Sequence, residues 1–224
     1  MPDFKFPSWR QRLVRSLHVS RSQPQSKYFQ VASVSRDGIP KNRTMVFRGF
    51  LPDSLNLISV TDIRSEKVSD WKLNTPKKFE ICWYFAGSRE QYRIAGHVSL
   101  VSNELLKNEN APDSMRKSAD FSEGFLRQQW TNLSRGAQQQ FFWPSPRTPF
   151  DNDQVTQTKE TKSESQINKS EQSSNAERTF DISDHFCVVI FTPLSVDYLN
   201  LKGSPQLRCL SDFENDWLEV AVNA

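Results

Sequence analysis

Short β-rich runs separated by turn residues recur from Tyr28 to the end of the chain, and this punctuation limits the fold more than any other feature. Tyr28 to Val34 is the first run; Asp37-Gly38 follows it, and both residues tolerate the positive φ of a tight hairpin turn. Asn42 to Phe50 is the return strand, Pro52-Asp53 a second turn, and Leu55 to Val60 a third strand. Three strands joined by short turns predict an antiparallel meander. Further on, Phe79 to Phe85 places Ile81, Trp83 and Phe85 on one face, and Gln91 to Val101 alternates through Tyr92, Ile94, Val98 and Leu100. Gly96, in the middle of the latter, predicts a bulge or a close backbone approach. Phe186 to Phe191 is the most apolar run and reads as a central strand ended by Pro193. Val196 to Leu201, Gln206 to Leu210 and Trp217 to Val222 are further short strands. Their even spacing predicts a mainly β fold with a few helices, and a barrel rather than a doubly wound sheet.

Helical periodicity is confined to three places. Pro7 to His18 carries Trp9, Leu13, Val14 and Leu17 at the spacing of one helical face, with Arg10, Arg12 and Arg15 on the others. The arginines read as the solvated side of a docking helix. Ser65 to Leu73 predicts a helix with Ser65 as N-cap and Val68 and Trp71 at helical spacing, stopped by Thr75-Pro76. Asn103 to Gln140 is polar and helical in character, with Met115, Phe121, Phe125, Leu126, Trp130 and Leu133 as its anchors. The proline-rich connection Trp143 to Pro149 follows.

The chain of 224 residues suits a single domain, 1–224. Asp151 to Arg178 is almost free of aliphatic residues and predicts a disordered polar insert, 151–178, because β character resumes after it. A net charge of +3 is too balanced for the concentrated basic face that nucleic acid requires, yet leaves room for a small anionic ligand. The three cysteines show no metal spacing and are an odd number for a disulfide framework. Cys82 and Cys187 sit in apolar runs and read as buried thiols, which fits a cytoplasmic protein. No apolar run approaches the ~18 residues of a membrane span, and Met1 to Ser16 lacks the apolar stretch of a signal peptide, so no membrane is expected.

Common catalytic motifs are absent. No GxGxxG or GxxxxGK[ST] is present, and His18, His97 and His185 stand in no zinc or nucleophile motif, so no metal is expected. Cationic positions are more informative. Arg43 and Arg48 lie five residues apart in one expected strand, which would turn them to opposite faces and suit two anions, or one anion and a surface. Thr61, Ser65 and Lys67 cluster where a strand ends and a helix starts. Hydroxyls, backbone N–H groups and an ammonium at such a place suit a phosphate. The same residues also read as a plain N-cap and a solvated lysine, and their spacing leaves both readings open.

Taken in order, three segments resemble the pyridoxamine 5'-phosphate oxidase-like FMN-binding family. Arg43 to Phe50 resembles the family's Arg-x-Val-Leu-Leu-Lys strand, and Thr61 to Lys67 its Thr-Asn-x-x-Ser-Arg-Lys phosphate segment. Glu90 to Gly96 resembles its Arg-Gln-Val-x-Ile-x-Gly strand. The opening Trp9-Arg10-x-x-Leu13 and the late Phe142-Trp143-Pro144 resemble the cyanobacterial and plant-like subgroup.

The resemblance implies an antiparallel, Greek-key-like split β-barrel and a homodimer with FMN at the subunit interface. It implies that Arg43 and Lys67 hold the FMN phosphate with Thr61 and Ser65. Thr44, Met45 and Val46 would lie along the flavin ring, Met45 and Val46 through backbone and side chain, and Gln91 would bond the ring's polar edge. Arg208 matches a late flavin-contacting arginine once a gap is allowed. Arg48 stands where the family has a lysine that meets flavin and substrate, and with one of Arg127, Arg135 or Arg147 it would clamp a substrate phosphate. Departures are also visible. Glu66 replaces a phosphate-binding arginine, for which Arg64 could compensate; Leu199 replaces a flavin-packing tryptophan; and Gln206-Leu207-Arg208 lacks the substrate-binding histidine. The implied function is an FMN-dependent oxidoreductase of the pyridoxamine/pyridoxine 5'-phosphate oxidase type. The alternatives are another flavin reductase or oxidoreductase on this barrel, or a non-catalytic FMN- or haem-binding module.

Overall fold

A computed structural model describes residues 6–74, 76–107, 123–150 and 181–224. The predicted insert 151–178, the anchors Met115 and Phe121, and the helix stop at Thr75 lie outside the described residues.

Nine strands form one antiparallel sheet in the order β2-β1-β5-β6-β7-β4-β3, with β8 and β9 continuing from β7. They are β1 (Tyr28–Val34), β2 (Pro40–Val46), β3 (Gly49–Phe50), β4 (Leu57–Asp62), β5 (Lys78–Phe85), β6 (Glu90–Ser102), β7 (Phe186–Asn200), β8 (Leu207–Asp212) and β9 (Val220–Val222). The hairpin β1–β2 forms around Asp37-Gly38 as expected, with Gly38 at φ 76°. The simple meander does not. β4 pairs with β3 and β7, at the far side of the sheet from β2. The chain breaks at Phe47-Arg48 instead of running straight to Phe50. There Arg48 N donates to the Ile58 carbonyl at 2.9 Å and Ser59 Oγ to the Val46 carbonyl at 2.8 Å. These bonds draw the two ends of the sheet together and curl it into a barrel.

Alternation decides what the barrel encloses. Phe29 and Val31 of β1, Phe79, Ile81, Trp83 and Phe85 of β5, and Tyr92 and Ile94 of β6 are buried together inside it. Each such side chain contributes about 1.5–3 kcal/mol by leaving water. Helix α1 (Ser8–Val19) closes one part of this core with Trp9 and Leu13, whereas Val14, expected on the same face, is exposed. Helix α2 (Glu66–Leu73) inserts Val68 and Trp71.

The first half of β7 is buried on both faces. Cys187, Val189 and Phe191 face the barrel core, while Phe186, Val188 and Ile190 pack under a helical layer. That layer follows α3 (Asn103–Lys107) and consists of α4 (Glu123–Thr131) and α5 (Arg135–Gln139), anchored by the expected Phe125, Leu126, Trp130 and Leu133. Pro193 does not end β7. It lies opposite Gly96, at the register shift between Ala95 and Gly96, where a strand tolerates a residue without an N–H. Gly96 is the predicted close approach: a Cβ there would stand 2.0 Å from the Thr192 carbonyl oxygen. Cys187 is buried, but Cys82 is only half-buried, so one of the two expected buried thiols is misjudged.

Candidate functional site: a cationic cradle between β2 and α2

Lys41, Arg43 and Met45 alternate along β2 and share its inward side. Met45 is buried in the barrel core, so its side chain cannot lie on a ligand ring as the resemblance implied, and only its backbone is available. Arg43, nearer the barrel mouth, is 20% exposed and is oriented from below. Its NH1 donates to Ser33 Oγ at 2.7 Å, Ser33 Oγ lies 3.3 Å from the buried Asp70 carboxylate, and Arg43 NH2 lies 3.8 Å from the same carboxylate.

Facing Arg43 is the end of β4 and the start of α2. Ser65 stands at the N-cap position, but its hydroxyl makes no capping bond. It donates instead to the Asp62 carbonyl at 2.7 Å, accepts from Lys67 Nζ at 3.0 Å, and lies 3.4 Å from Thr61 Oγ1. Burial pushes the Lys67 ammonium below its ordinary range, and the charge of Arg43 pushes it further. Burial also lowers the Arg43 guanidinium, with Asp70 and Glu66 acting against it. Among the described residues no carboxylate forms an ion pair with Lys67. Two desolvated cations that repel one another, flanked by two hydroxyls, make a donor set that an anion would complete.

Arg64 does not compensate for Glu66. Its guanidinium grips Asp62, with Nε 3.0 Å from Oδ1 and NH2 2.6 Å from Oδ2, and NH2 also reaches the Trp143 carbonyl at 3.0 Å. Glu66 itself pairs with Lys41 through one oxygen and with Arg147 through the other. Lys41 is a member of this group that sequence reasoning missed, although its spacing two residues before Arg43 pointed to the same side of the strand.

Arg48 is elsewhere. It belongs to the break after β2 and lines a cavity of about 160 Å³ with Lys27, Phe47, Gln129, Asn132 and Leu133. The two arginines therefore serve separate places because the strand ends between them, not because a regular strand alternates. Arg135 opens α5 and Arg127 is ion-paired to Glu123 at 3.6 Å; neither lines this cavity. Arg147 is at Glu66.

A third group lies on the sheet's outer side. Gln91 pairs with Tyr84 and Leu199, and Leu199 with Arg208, so the three predicted or substituted positions share one cross-strand row. Arg208 is held by Asp197, with Nε–Oδ1 3.0 Å and NH2–Oδ2 2.7 Å. Thr61 pairs with Cys187 and Gln91 with Leu199, twelve positions apart on β7. At the usual rise, that is about 40 Å of strand. Thr44 is exposed and Val46 half-buried on the outward side of β2.

A family model described as "Pyridoxamine 5'-phosphate oxidase, FMN-binding domain" matches residues 6–102, from α1 to the end of β6. A solved pyridoxamine 5'-phosphate oxidase-related, FMN-binding protein from Nostoc punctiforme is 32% identical, with a TM-score of 0.75 over 99% of this chain and 100% of that one. The chain belongs to this family. Its fold is thus the family's split barrel, and the family's cofactor is FMN; the donor set of Arg43, Thr61, Ser65 and Lys67 is of the chemistry that a phosphate completes. The Arabidopsis thaliana protein named pyridoxine/pyridoxamine 5'-phosphate oxidase 2 is 29% identical over 219 residues, 96% of each chain. PhzG from Burkholderia lata, solved with tetrahydrophenazine-1-carboxylic acid, shares the fold at TM-score 0.68 and 13% identity, covering 100% of this chain and 97% of that one. Among the described residues no helix is long and apolar enough to cross a membrane, and no cluster of metal ligands occurs.

Proposed function

We propose that this chain is an FMN-dependent oxidoreductase acting on a phosphate-bearing amine or alcohol of the pyridoxamine/pyridoxine 5'-phosphate type. The observation that carries the reading is the presence of two separate cationic recesses, the cradle at Arg43 and Lys67 and the cavity at Arg48 and Lys27. One suits the cofactor's phosphate and the other a second anion.

Bound FMN supplies the two-electron redox chemistry. Arg43 and Lys67 hold its phosphate, and Thr61 and Ser65 add hydroxyl donors. The backbone of Thr44, Met45 and Val46 lines the ring. Arg48, with its guanidinium lowered by burial, and Lys27 neutralise the substrate anion; Gln129 and Asn132 orient it against the apolar floor of Phe47 and Leu133. Placing a substrate in this way converts a bimolecular encounter into an oriented one, which is the protein's main lever on the rate.

Gln91 and Arg208 lie on the outer row, remote along the sheet from Lys67 of the same chain. We assign them to the flavin of a second subunit, so the working unit is a homodimer of the cytoplasm. Exposed Tyr28, Tyr84 and Leu210 on the outer face of the sheet support such an interface.

A second reading, another flavin oxidoreductase on the same barrel, is favoured by the outer row itself. Leu199 stands there in place of the tryptophan that the resemblance implies, Arg208 is engaged by Asp197, and no histidine stands beside it in the pairing. Anaerobic addition of pyridoxamine 5'-phosphate to the yellow protein separates the two. Bleaching of the flavin band is expected. A band that persists at saturating substrate contradicts the proposal and leaves the second reading.

A further inference from the structure

We propose that Glu66 is a positioning residue which, by holding Lys41 and Arg147, adds a second pair of cations to the FMN phosphate cradle of Arg43 and Lys67. The inference rests on the reading that the phosphate lies between β2 and α2.

Four observations converge on it. Lys41 and Arg43 are two residues apart on β2 and so project to the same side, opposite Ser33 and Val31 of β1. Glu66 is adjacent to Lys67 at the start of α2, and each of its carboxylate oxygens takes one cation. A single negative charge thereby fixes two positive ones beside the cradle, a net gain for an anion. Glu66 is near enough to act electrostatically on Arg43, and Arg43 on Lys67, so all five side chains belong to one charged group.

The third observation is the backbone of Arg147. Thr148 N donates to the Ser145 carbonyl at 3.3 Å, closing a turn with Pro146 at its second place and Arg147, at φ 69°, at its third. That place suits glycine. A side chain kept where glycine fits better points to a use for the side chain, and here the guanidinium is delivered to Glu66. Fourth, the turn is fixed from the other side by Arg64, which reaches the Trp143 carbonyl at 3.0 Å and Ser145 Oγ at 3.3 Å. Arg64, the candidate to compensate for Glu66, acts instead by placing Arg147.

The proposal predicts a sign opposite to simple repulsion. Removing a carboxylate beside an anion would ordinarily tighten binding; removing Glu66 should loosen it, because two cations lose their anchor. The full-length protein, freed of flavin, is titrated with FMN and with riboflavin, which lacks the phosphate, by quenching of flavin fluorescence. In Glu66→Gln and in Arg147→Gly the FMN-to-riboflavin affinity ratio should fall about tenfold or more, with riboflavin binding and melting temperature preserved. Arg147→Gly relieves the positive φ, so a folding defect is not expected there. The double variant should lose little more than either single one. An unchanged or higher ratio in Glu66→Gln, or a parallel loss of riboflavin binding, overturns the proposal. Lys67→Met distinguishes the layers. A ratio lost there but kept in Glu66→Gln and Arg147→Gly sinks the positioning role alone; a ratio kept in Lys67→Met sinks the phosphate site, and the positioning role with it.

Discussion

Gly96→Ala should damage the barrel more than any other single methyl group at a described glycine. The added Cβ would stand 2.0 Å from the Thr192 carbonyl oxygen and 3.0 Å from Leu194 N. Carbon and oxygen in close contact need about 3.3 Å, so the strands must separate by about 1.3 Å. Both obstructing atoms are backbone, so no rotamer change can relieve the clash. The separation falls at the register shift of β6 on β7, where Gly96 faces Pro193 and Ala95 faces Ser195. Losing two or three ladder bonds at about 1 kcal/mol each, with some displaced packing of Ile94 and Val196, costs about 3 kcal/mol. For a chain of this size that lowers the melting temperature by about 6–12 °C. The assay is thermal unfolding of the flavin-free protein followed by circular dichroism. Gly136→Ala is the control: it lies in α5 with nothing within 4 Å of a new Cβ, and should gain about 0.5–1 kcal/mol from helix propensity. A Gly96→Ala variant that melts within 2 °C of the parent, about the scatter expected for a neutral change, would refute the reasoning.

Three further outcomes follow from the same geometry. Burial pushes the Glu90 carboxyl up, but bonds from Tyr198 and Ser16 and the charge of Arg15 outweigh it and hold it below the usual range. Its contribution is therefore present above the unfolded value, about 4.3, and is lost as pH falls through the folded value. Glu90→Gln should cost about 1–3 kcal/mol at neutral pH and flatten that acid limb in urea unfolding; an unchanged acid limb would count against the network. Arg48→Ala should raise KM for a phosphorylated substrate about tenfold or more while FMN affinity holds, and a loss of FMN with KM intact would move Arg48 into the cofactor site. Light scattering of the FMN-loaded protein should give the mass of two chains, and a monomer mass that still binds FMN fully would remove Gln91 and Arg208 from the shared site.

The strands were legible because their side chains alternate between two environments, and Gly96 was legible because a glycine inside a strand marks a bulge or close approach. Closure was not. Whether β4 neighbours β2 or β7 depends on pairings more than a hundred residues apart in sequence, which local pattern does not encode. Pro193 misled for a related reason: a proline stops a central strand unless it sits at a bulge, and the bulge, which leaves Leu194 of β7 unpaired beside it, is set by pairing with the distant β6. In the site, Thr61, Ser65 and Lys67 were visible as a spacing at a strand–helix junction, and the structure brings them together with Arg43. Lys41 was not, because alone it looks like a surface charge, and although Glu66 and Arg147 were singled out, only the fold shows that Glu66 joins Lys41 to Arg147. Ser65 fitted an N-cap by type and position, yet its hydroxyl serves Lys67 instead.

If this chain grips FMN by the phosphate, the phosphate must account for much of its affinity. Titrating the flavin-free protein with FMN and riboflavin in parallel, and repeating both with Arg43→Ala, tests it most directly. FMN is expected to bind well above riboflavin, with a loss of about 1.5–3 kcal/mol for FMN alone in the variant. Equal affinity for the two flavins, or an Arg43→Ala variant that holds FMN as tightly as the parent, would contradict it.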